Sequence, residues 1–263
     1  MPRIIDTHCH VNASDFDADR DAVYQRASGA GVIGLITVAT QPNDWKRTLD
    51  LAEGRPYVRV ALGIHPHEAG IHSPEAMREL KAMTESNSRV VAIGETGLDF
   101  FRNHSPREKQ FESFQAQLDL AFELDKPFIL HCRAAESEMM EVLAKQREKT
   151  GRPLKGVWHC FTSTPEFAGK AAAMGLHFGL GGILTYPKAN DVRAAVSELP
   201  AERLLLETDC PYLPPQGWRG QRNEPAYLAK VVEVLAQVRQ TTGDEICRIT
   251  TANACALFNM NDL

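Results

Sequence analysis

The chain has 263 residues, of which 43% are apolar and 24% charged, the proportions of an ordinary globular protein. Its net charge of −5 excludes an overall basic surface, so any contact with nucleic acid has to come from a local group of arginines. The six cysteines contain no C-x-x-C pair, which argues against a disulfide framework. The sequence shows no signal-like leader and no apolar segment of roughly 20 residues, so we expect a cytoplasmic protein that makes no membrane contact.

Short apolar, β-branched segments alternate with longer amphipathic ones along the whole chain. The short segments predict eight strands, at Ile4–Cys9, Ile33–Ala39, Val58–Ile64, Val90–Glu95, Phe128–Cys132, Gly156–Cys160, His177–Gly181 and Leu204–Glu207. Strands that alternate with helices over short turns are typical of a parallel sheet with right-handed crossovers.

Several of the intervening helices have recognisable starts. Ser or Thr precedes proline in "SPEAMREL" at 73, "SPREKQF" at 105 and "TPEF" at 164, which predicts an N-cap followed by proline at the first helical position. Glu108, three residues after Ser105, predicts a capping box. The apolar stripe of the helix that follows consists of Phe111, Phe114, Leu118 and Phe122. The last predicted helix covers roughly residues 225 to 239.

Eight strand–helix repeats in a chain of this length predict an α/β fold, a single (β/α)8 TIM-type barrel that forms one domain from residue 1 to 263. A doubly wound open sheet is the alternative. No G-x-G-x-x-G follows an early strand and no G-x-x-x-x-G-K-[ST] occurs, which weakens the nucleotide-binding folds. In (β/α)8 enzymes the active site lies at the C-terminal ends of the strands.

Side chains that can bind metal stand at those strand ends. In "DTHCH", His8 and His10 are two residues apart, so a β-strand presents both imidazoles on one face. Six of the eight strands end in such a residue, in a set formed by His8, His10, His65, Glu95, His131, His159 and Asp209. This is more than the three protein ligands of a mononuclear catalytic zinc site. The set suits two divalent ions (Mg²⁺, Mn²⁺ or Zn²⁺) with Glu95 as the bridge, and it predicts metal-assisted hydrolysis.

Four cysteines lie next to these proposed ligands, which raises the alternative of a thiolate zinc cage. Strand alternation turns Cys9, Cys132 and Cys160 away from the histidine face and toward the helix layer. We interpret these three as packing residues.

The motifs "DTHCH", "GIHPHE", "AIGETGLDF", "PFILHCR", "HCFTSTPE", "GGILTYP", "LLLETDCPYL" and "RGQRNEPAYL" together resemble the TatD family of metal-dependent deoxyribonucleases, within the amidohydrolase-type barrel superfamily. The resemblance runs from residue 4 to about residue 258 of the chain. It implies a (β/α)8 barrel, a site for one to three divalent ions, and exonuclease-type cleavage of DNA phosphodiesters.

The same resemblance implies roles for individual residues. It implies metal ligands at His8, His10, Glu95, His131, His159 and Asp209, with Glu95 shared between two ions. Asp209 also resembles the catalytic base, and Glu207 resembles a family acid near the metals, whose alternative role is to orient neighbouring ligands. His65 resembles a histidine near the substrate phosphate. The catalytic candidates are therefore Asp209, Glu95 and Glu207.

Arginines cluster at the predicted rim of the site. The planar fork of arginine matches a phosphate group, which makes substrate-binding candidates of Arg102, Arg133, Arg219 and Arg222. Phe101, Tyr212 and Trp218 lie near them in sequence and could stack on the bases of a single strand that enters end first. We expect DNA as the substrate, no required protein partner, and a monomer or weak oligomer.

Two other functions compete with this interpretation. A metal-dependent esterase, lactonase or amidase for a small molecule could use the same ligands. From a different class, a non-catalytic metal-binding scaffold would have the ligands without an activity. Release of nucleotides from single-stranded DNA, compared with turnover of carboxyl esters and lactones, discriminates between the two enzymes. A scaffold would unfold on chelation without an activity to lose.

Overall fold

The computed structural model describes residues 3–263. The strands are β1 (Ile4–Cys9), β2 (Val32–Ala39), β3 (Val58–Leu62), β4 (Val90–Asp99), β5 (Phe128–Arg133), β6 (Gly156–Trp158), β7 (His177–Leu180) and β8 (Leu204–Leu206). The helices are α1 (Arg20–Gly29), α2 (Pro42–Ala52), α3 (Pro74–Ser86), α4 (Arg107–Glu123), α5 (Glu136–Thr150), α6 (Pro165–Ala173), α7 (Asn190–Glu198), α8 (Leu228–Val238) and α9 (Gly243–Phe258). Within this part of the chain, none of the helices has the length and apolarity to cross a membrane.

The eight predicted strands are confirmed, and most of their ends agree within two residues. The exception is β4, which continues four residues past its predicted end to Asp99. It does so because Thr96 to Asp99 go on pairing with Leu130 to Arg133 of β5. The longer β4 brings Asp99 to the same edge as Arg133.

Two helix predictions were wrong. The helix α4 begins at Arg107 and Ser105 does not cap it, because the Ser105 hydroxyl donates to the His67 carbonyl and accepts from the Gly70 amide. The helix predicted to be the last one is followed by α9, whose first turn is capped by Thr242. At α3 the predicted cap is confirmed, since Ser73 Oγ accepts from the Ala76 amide at 3.1 Å.

By contact density the chain forms two compact units, and the first comprises residues up to 37, 159–173 and 177–263. In it β1 pairs with β2 and β7 with β8, both in parallel. The end of β8 also lies beside β1, where the Asp209 amide donates to the His8 carbonyl at 2.9 Å and the Thr7 hydroxyl to the Leu206 carbonyl at 2.9 Å. The strand order of the whole sheet is β1 to β8, so this contact closes the sheet. The predicted (β/α)8 barrel is confirmed.

The second unit comprises residues 38–158 and 174–176, and α4 fixes its strand ends from outside. Gln117 accepts from the Ile64 amide at 2.8 Å and donates to the Ile64 carbonyl at 3.0 Å. In the same way, Gln110 accepts from the Asp99 amide at 2.8 Å and donates to the Asp99 carbonyl at 3.2 Å. Both glutamines are fully buried, beside the apolar side chains of the predicted stripe. Gln117 therefore holds the backbone next to the candidate His65, and Gln110 holds the end of β4.

One buried carboxylate joins β1 to the segment that follows β8. Asp6 accepts from the Thr208 amide at 3.0 Å, the Thr208 hydroxyl at 2.6 Å and the His8 amide at 3.3 Å. Burial raises the pKa of Asp6 to about 8, against the lowering effect of the Thr208 hydrogen bonds. The neutral acid is therefore the main form of Asp6 at neutral pH.

We expect Asp6→Ala to lower the free energy of unfolding by roughly 2–4 kcal/mol, because it leaves buried donors of Thr208 without an acceptor. Asp6→Asn is the matched control, since it resembles the neutral acid in size and keeps an acceptor oxygen, and its loss should be much smaller. Urea unfolding with a common slope measures both variants. Equal midpoints for Ala and Asn would show that these hydrogen bonds do not hold the strand ends together.

Candidate metal centre

In the first unit, three metal-competent groups converge at the ends of β1 and β8. The Nε2 atoms of His8 and His10 are 3.2 Å apart, as their spacing in the strand predicts. Asp209 Oδ1 lies 3.4 Å from Nε2 of His10 and 3.7 Å from Nε2 of His8. A four-coordinate ion with bonds of roughly 2.0–2.1 Å separates its ligand atoms by about 3.3 Å. The three atoms therefore have the spacing of one face of a metal coordination shell.

His159 and Glu207 extend this cluster. The His159 ring stacks on His8, with 3.9 Å between ring centroids, and its Nδ1 lies 3.5 Å from Glu207 Oε1. Glu207 Oε1 also accepts from the Cys160 amide at 2.5 Å, while the buried Oε2 has no hydrogen-bond partner within residues 3–263. Gly179 makes room for that carboxylate, because a Cβ there would lie 1.9 Å from Oε2. A buried carboxylate oxygen without a donor fits a site built for a cation.

The electrostatics of Asp209 favour the ionised form. Burial alone would raise its pKa, but the hydrogen bond from His10 and the nearby imidazoles of His159 and His8 outweigh it, and the pKa lies below its usual value. The backbone of Asp209 has a φ of 57°, in the left-handed region that Asp enters more readily than most residues. This turn directs a charged carboxylate toward the two histidines.

In the second unit, His131 lies between two carboxylates. Its Nε2 is 3.1 Å from Asp99 Oδ2 and its Nδ1 is 2.8 Å from Glu95 Oε1. A carboxylate only accepts and a neutral imidazole has one N–H, so neutral His131 can donate to only one of the two carboxylates. With the proton on Nε2, toward Asp99, the Nδ1 lone pair faces Glu95 Oε1 at contact distance. A cation bound there would interact with both atoms, so Glu95 and His131 fit a metal ion.

His65 belongs to the same cluster and contributes a hydrogen-bond donor to it. Its Nδ1 accepts from the His67 amide at 3.0 Å, so neutral His65 carries its proton on Nε2. That Nε2 lies 3.4 Å from Glu95 Oε1 and 3.3 Å from His131 Nδ1. Burial lowers the pKa of His65 to about 4, which keeps the ring neutral at pH 7. His65 therefore presents a hydrogen-bond donor to Glu95 and to Nδ1 of His131.

Two residues of this site were missed from the sequence, Asp99 and His67. Asp99 is fully buried; its Oδ2 faces His131 Nε2 and, at 2.8 Å, His67 Nε2, while its Oδ1 accepts from the Phe101 and Arg102 amides. Burial alone would raise its pKa, but the hydrogen bonds from His131, Arg102 and His67 outweigh that effect and hold the pKa well below the usual range. The signals were present, because "GETGLD" has a second acid and "GIHPH" a second histidine two residues after His65.

The close approach of β4 and β5 explains a glycine in the same motif. Gly97 has a φ of 143°, and a Cβ at this position would lie 2.0 Å from the His131 carbonyl oxygen. A side chain would force the strand that carries His131 away from the one that carries Glu95.

The four arginines of the predicted rim differ in the contacts that they make. Arg222 makes a two-point ion pair with Asp19, both contacts at 2.8 Å, and lies over the Phe16 ring. Arg219 is exposed above the Tyr186 ring at 4.7 Å. Trp218, one of the predicted stacking residues, packs on Tyr227. The guanidinium of Arg222 thus has an internal partner, and its substrate-binding role stays a prediction.

Arg102 and Arg133 differ from Arg222 in this respect. Both are exposed, both lie next to Phe101, and neither guanidinium makes an ion pair or a hydrogen bond to any residue from 3 to 263. Two unpaired arginines beside the Glu95–His131 cluster form a surface suited to an anion.

Comparison with known proteins places these groups in a family context. A family model described as TatD related DNase matches residues 5–259. The chain is 36% identical to the uncharacterized metal-dependent hydrolase YabD of Bacillus subtilis, over 98% of this chain and 100% of that one. It is 39% identical to the 3'-5' ssDNA/RNA exonuclease TatD of Erwinia billingiae, over 98% and 99% of the two chains. The crystal structure of the TatD homologue YjjV from Escherichia coli K12 superposes with a TM-score of 0.91 at 37% identity, and 98% of each chain is covered.

We expect Asp99→Asn to weaken divalent-ion affinity about 10- to 100-fold, the usual effect of losing a carboxylate that orients a ligating histidine. The asparagine amide faces His131 Nε2 as a donor and thereby places the ring proton on Nδ1, the atom that a metal needs. His67→Ala is the control, because it removes a neighbour of Asp99 but keeps the hydrogen bond that His131 donates to Asp99. Competition with a chromophoric chelator measures the affinity. If both variants lose the same amount, Asp99 does not act through the His131 tautomer.

Proposed function

The chain belongs to the TatD-related DNase family of metal-dependent hydrolases, and on that premise we propose that it hydrolyses phosphodiester bonds at the ends of single-stranded DNA. The observation that carries the proposal is the joint presence, in the second unit, of a metal-competent cluster and two unpaired arginines. The exonuclease name of the Erwinia relative supports it.

We propose two divalent ions as cofactors, Mg²⁺, Mn²⁺ or Zn²⁺. His8, His10 and Asp209 would hold one, with His159 and Glu207 beside them, and Glu95 and His131 would hold the other. When bound, such ions supply Lewis-acid stabilisation of the phosphoryl oxygens and an activated water. The bridging role of Glu95 between the two ions stays a prediction from the sequence.

The chain's own residues would supply binding and proton transfer. Asp209 is ionised at neutral pH, so its free oxygen can accept the proton of an attacking water. His65 Nε2–H can donate to a phosphate oxygen, since its other nitrogen is already held by the His67 amide. Arg102 and Arg133 offer forked donors to the neighbouring phosphates. Glu207, held by the Cys160 amide, would keep His159 in place and is the second candidate for the base.

A carboxyl-ester hydrolase is the competing activity on the same ligands. An uncharged ester or lactone gives Arg102 and Arg133 nothing to neutralise, whereas each phosphodiester carries one negative charge. The decisive experiment compares nucleotide release from a short single-stranded oligonucleotide with turnover of carboxyl esters and lactones, each with added Mg²⁺, Mn²⁺ or Zn²⁺. Ester turnover without nucleotide release would overturn the proposal, and a protein with neither activity would be a metal-binding scaffold.

We further propose that the enzyme works in the cytoplasm, as a monomer or weak oligomer. All six cysteines are free thiols, which agrees with a reducing compartment. The oligomeric state rests on the sequence alone.

We expect Asp209→Asn to lower turnover of the oligonucleotide by roughly 10²- to 10⁴-fold, the range for loss of a general base. The amide keeps the size and one acceptor oxygen but removes the charge. His8 and His10 should still hold an ion at saturating metal, so bound-metal content is measured on the same samples. A fully metallated variant with near wild-type turnover would move the base elsewhere, and Glu207→Gln is then the next variant to measure.

A further inference from the structure

Phe101 is one of the few large apolar side chains that the protein exposes. Its side chain is 62% exposed, on the turn between β4 and α4 and two residues after Asp99. A single exposed aromatic ring is common on protein surfaces and by itself indicates nothing. The surroundings of this ring are what distinguish it.

Two arginines without acidic partners lie beside the ring. The guanidinium carbon of Arg133 lies 4.1 Å from the Phe101 ring centre, and that of Arg102 lies 5.9 Å from it. Arg133 stacks on the ring while most of the side chain remains open to solvent. An aromatic surface bordered by unpaired arginines has the two components that bind a nucleotide, a place to stack the base and donors for its phosphate.

The turn that carries the ring is anchored to the metal-competent cluster. The Phe101 and Arg102 amides donate to Asp99 Oδ1 at 3.0 and 2.7 Å, and the other oxygen of Asp99 faces His131. The Phe100 amide donates to the Arg133 carbonyl at 2.9 Å, which ties the turn to the end of β5. The ring is therefore held at a fixed place relative to Glu95 and His131, and binding would not have to order a loose loop.

We propose that Phe101 is the stacking surface for an unpaired nucleobase of the substrate strand, with Arg133 and Arg102 on the adjoining phosphates. This inference rests on the proposed function and adds the residue that selects single strands. In a duplex both faces of an internal base are covered by its neighbours, whereas an unpaired base near a strand end can leave the stack and lie on the ring. Every base has an apolar face, so the subsite would favour single strands without reading their sequence.

The test uses Phe101→Ala, Phe101→Trp and the control Ile71→Ala, which removes another exposed apolar side chain of the same unit. Substrates are a short oligothymidylate, the same strand with an abasic residue at each terminal position in turn, and a fully abasic strand of the same length, which keeps the phosphodiesters but has no base. We expect Phe101→Ala to raise KM for the oligothymidylate roughly 5- to 150-fold, the effect of one lost base–aromatic stack. Phe101→Trp and Ile71→Ala should stay near wild type on the oligothymidylate, and the fully abasic strand, which has nothing to stack, should not distinguish Phe101→Ala from wild type.

The abasic strands show which base stacks on the ring. At one position, removal of the base should raise KM for the wild type and remove the difference between wild type and Phe101→Ala. An unchanged KM for Phe101→Ala, or a penalty that persists with every abasic strand, would overturn the subsite. Loss of turnover of the fully abasic strand in Phe101→Ala would also overturn it, since the ring would then support the cluster and not the base.

Failure of the subsite and failure of the proposed function give different results. Oligonucleotide hydrolysis that is independent of Phe101 would leave the nuclease function intact and remove the subsite. If the wild type hydrolyses no DNA, fluorescence anisotropy of a labelled oligothymidylate still measures binding. Binding that Phe101→Ala weakens and Phe101→Trp keeps would retain the subsite, and binding without that pattern would remove it.

Discussion

The second unit depends on one buried carboxylate, Asp99, and on the donors that surround it. Two backbone amides and two imidazoles converge on its two oxygens, and the Gln110 side chain hydrogen-bonds to the backbone of the same residue. Without these donors a buried charge would cost several kcal/mol or lose its charge by protonation. With them, the carboxylate holds three parts of the unit together: the end of β4, the ring of His131 and the turn that carries Phe101.

Both candidate clusters bring several metal-competent atoms within hydrogen-bond distance of one another. In the first unit the Nε2 atoms of His8 and His10 lie beside each other and Asp209, and in the second His131 lies against Glu95. Strand pairing and buried hydrogen bonds hold these groups, so the fold contributes the energy that keeps the ligands in position. An ion would therefore bind side chains whose positions the fold has already set.

The arginines show that position in the sequence does not determine availability. Arg222 lies in the segment after β8, where a rim residue is expected, yet its guanidinium already forms a two-point ion pair with Asp19. Arg102 and Arg133 have no such partner and lie beside the same exposed ring. A phosphate competes for a free guanidinium far more easily than for one that has to leave a two-point ion pair first. The substrate-facing surface is therefore best sought at the ends of β4 and β5.

The sequence by itself determined the elements and the ligand types. Alternation of apolar segments fixed eight strands, and the two-residue period of a strand placed His8 and His10 on one face, because both patterns depend only on near neighbours. Tertiary structure alone decided the roles of Asp99, Gln110 and Gln117, and the pairing of Arg222 with Asp19. Those contacts join residues 11 to 203 positions apart, such as Gln117 with Ile64 and Arg222 with Asp19. No local period encodes such contacts, since the partner of a buried polar group is set by which strand ends the closed sheet brings together.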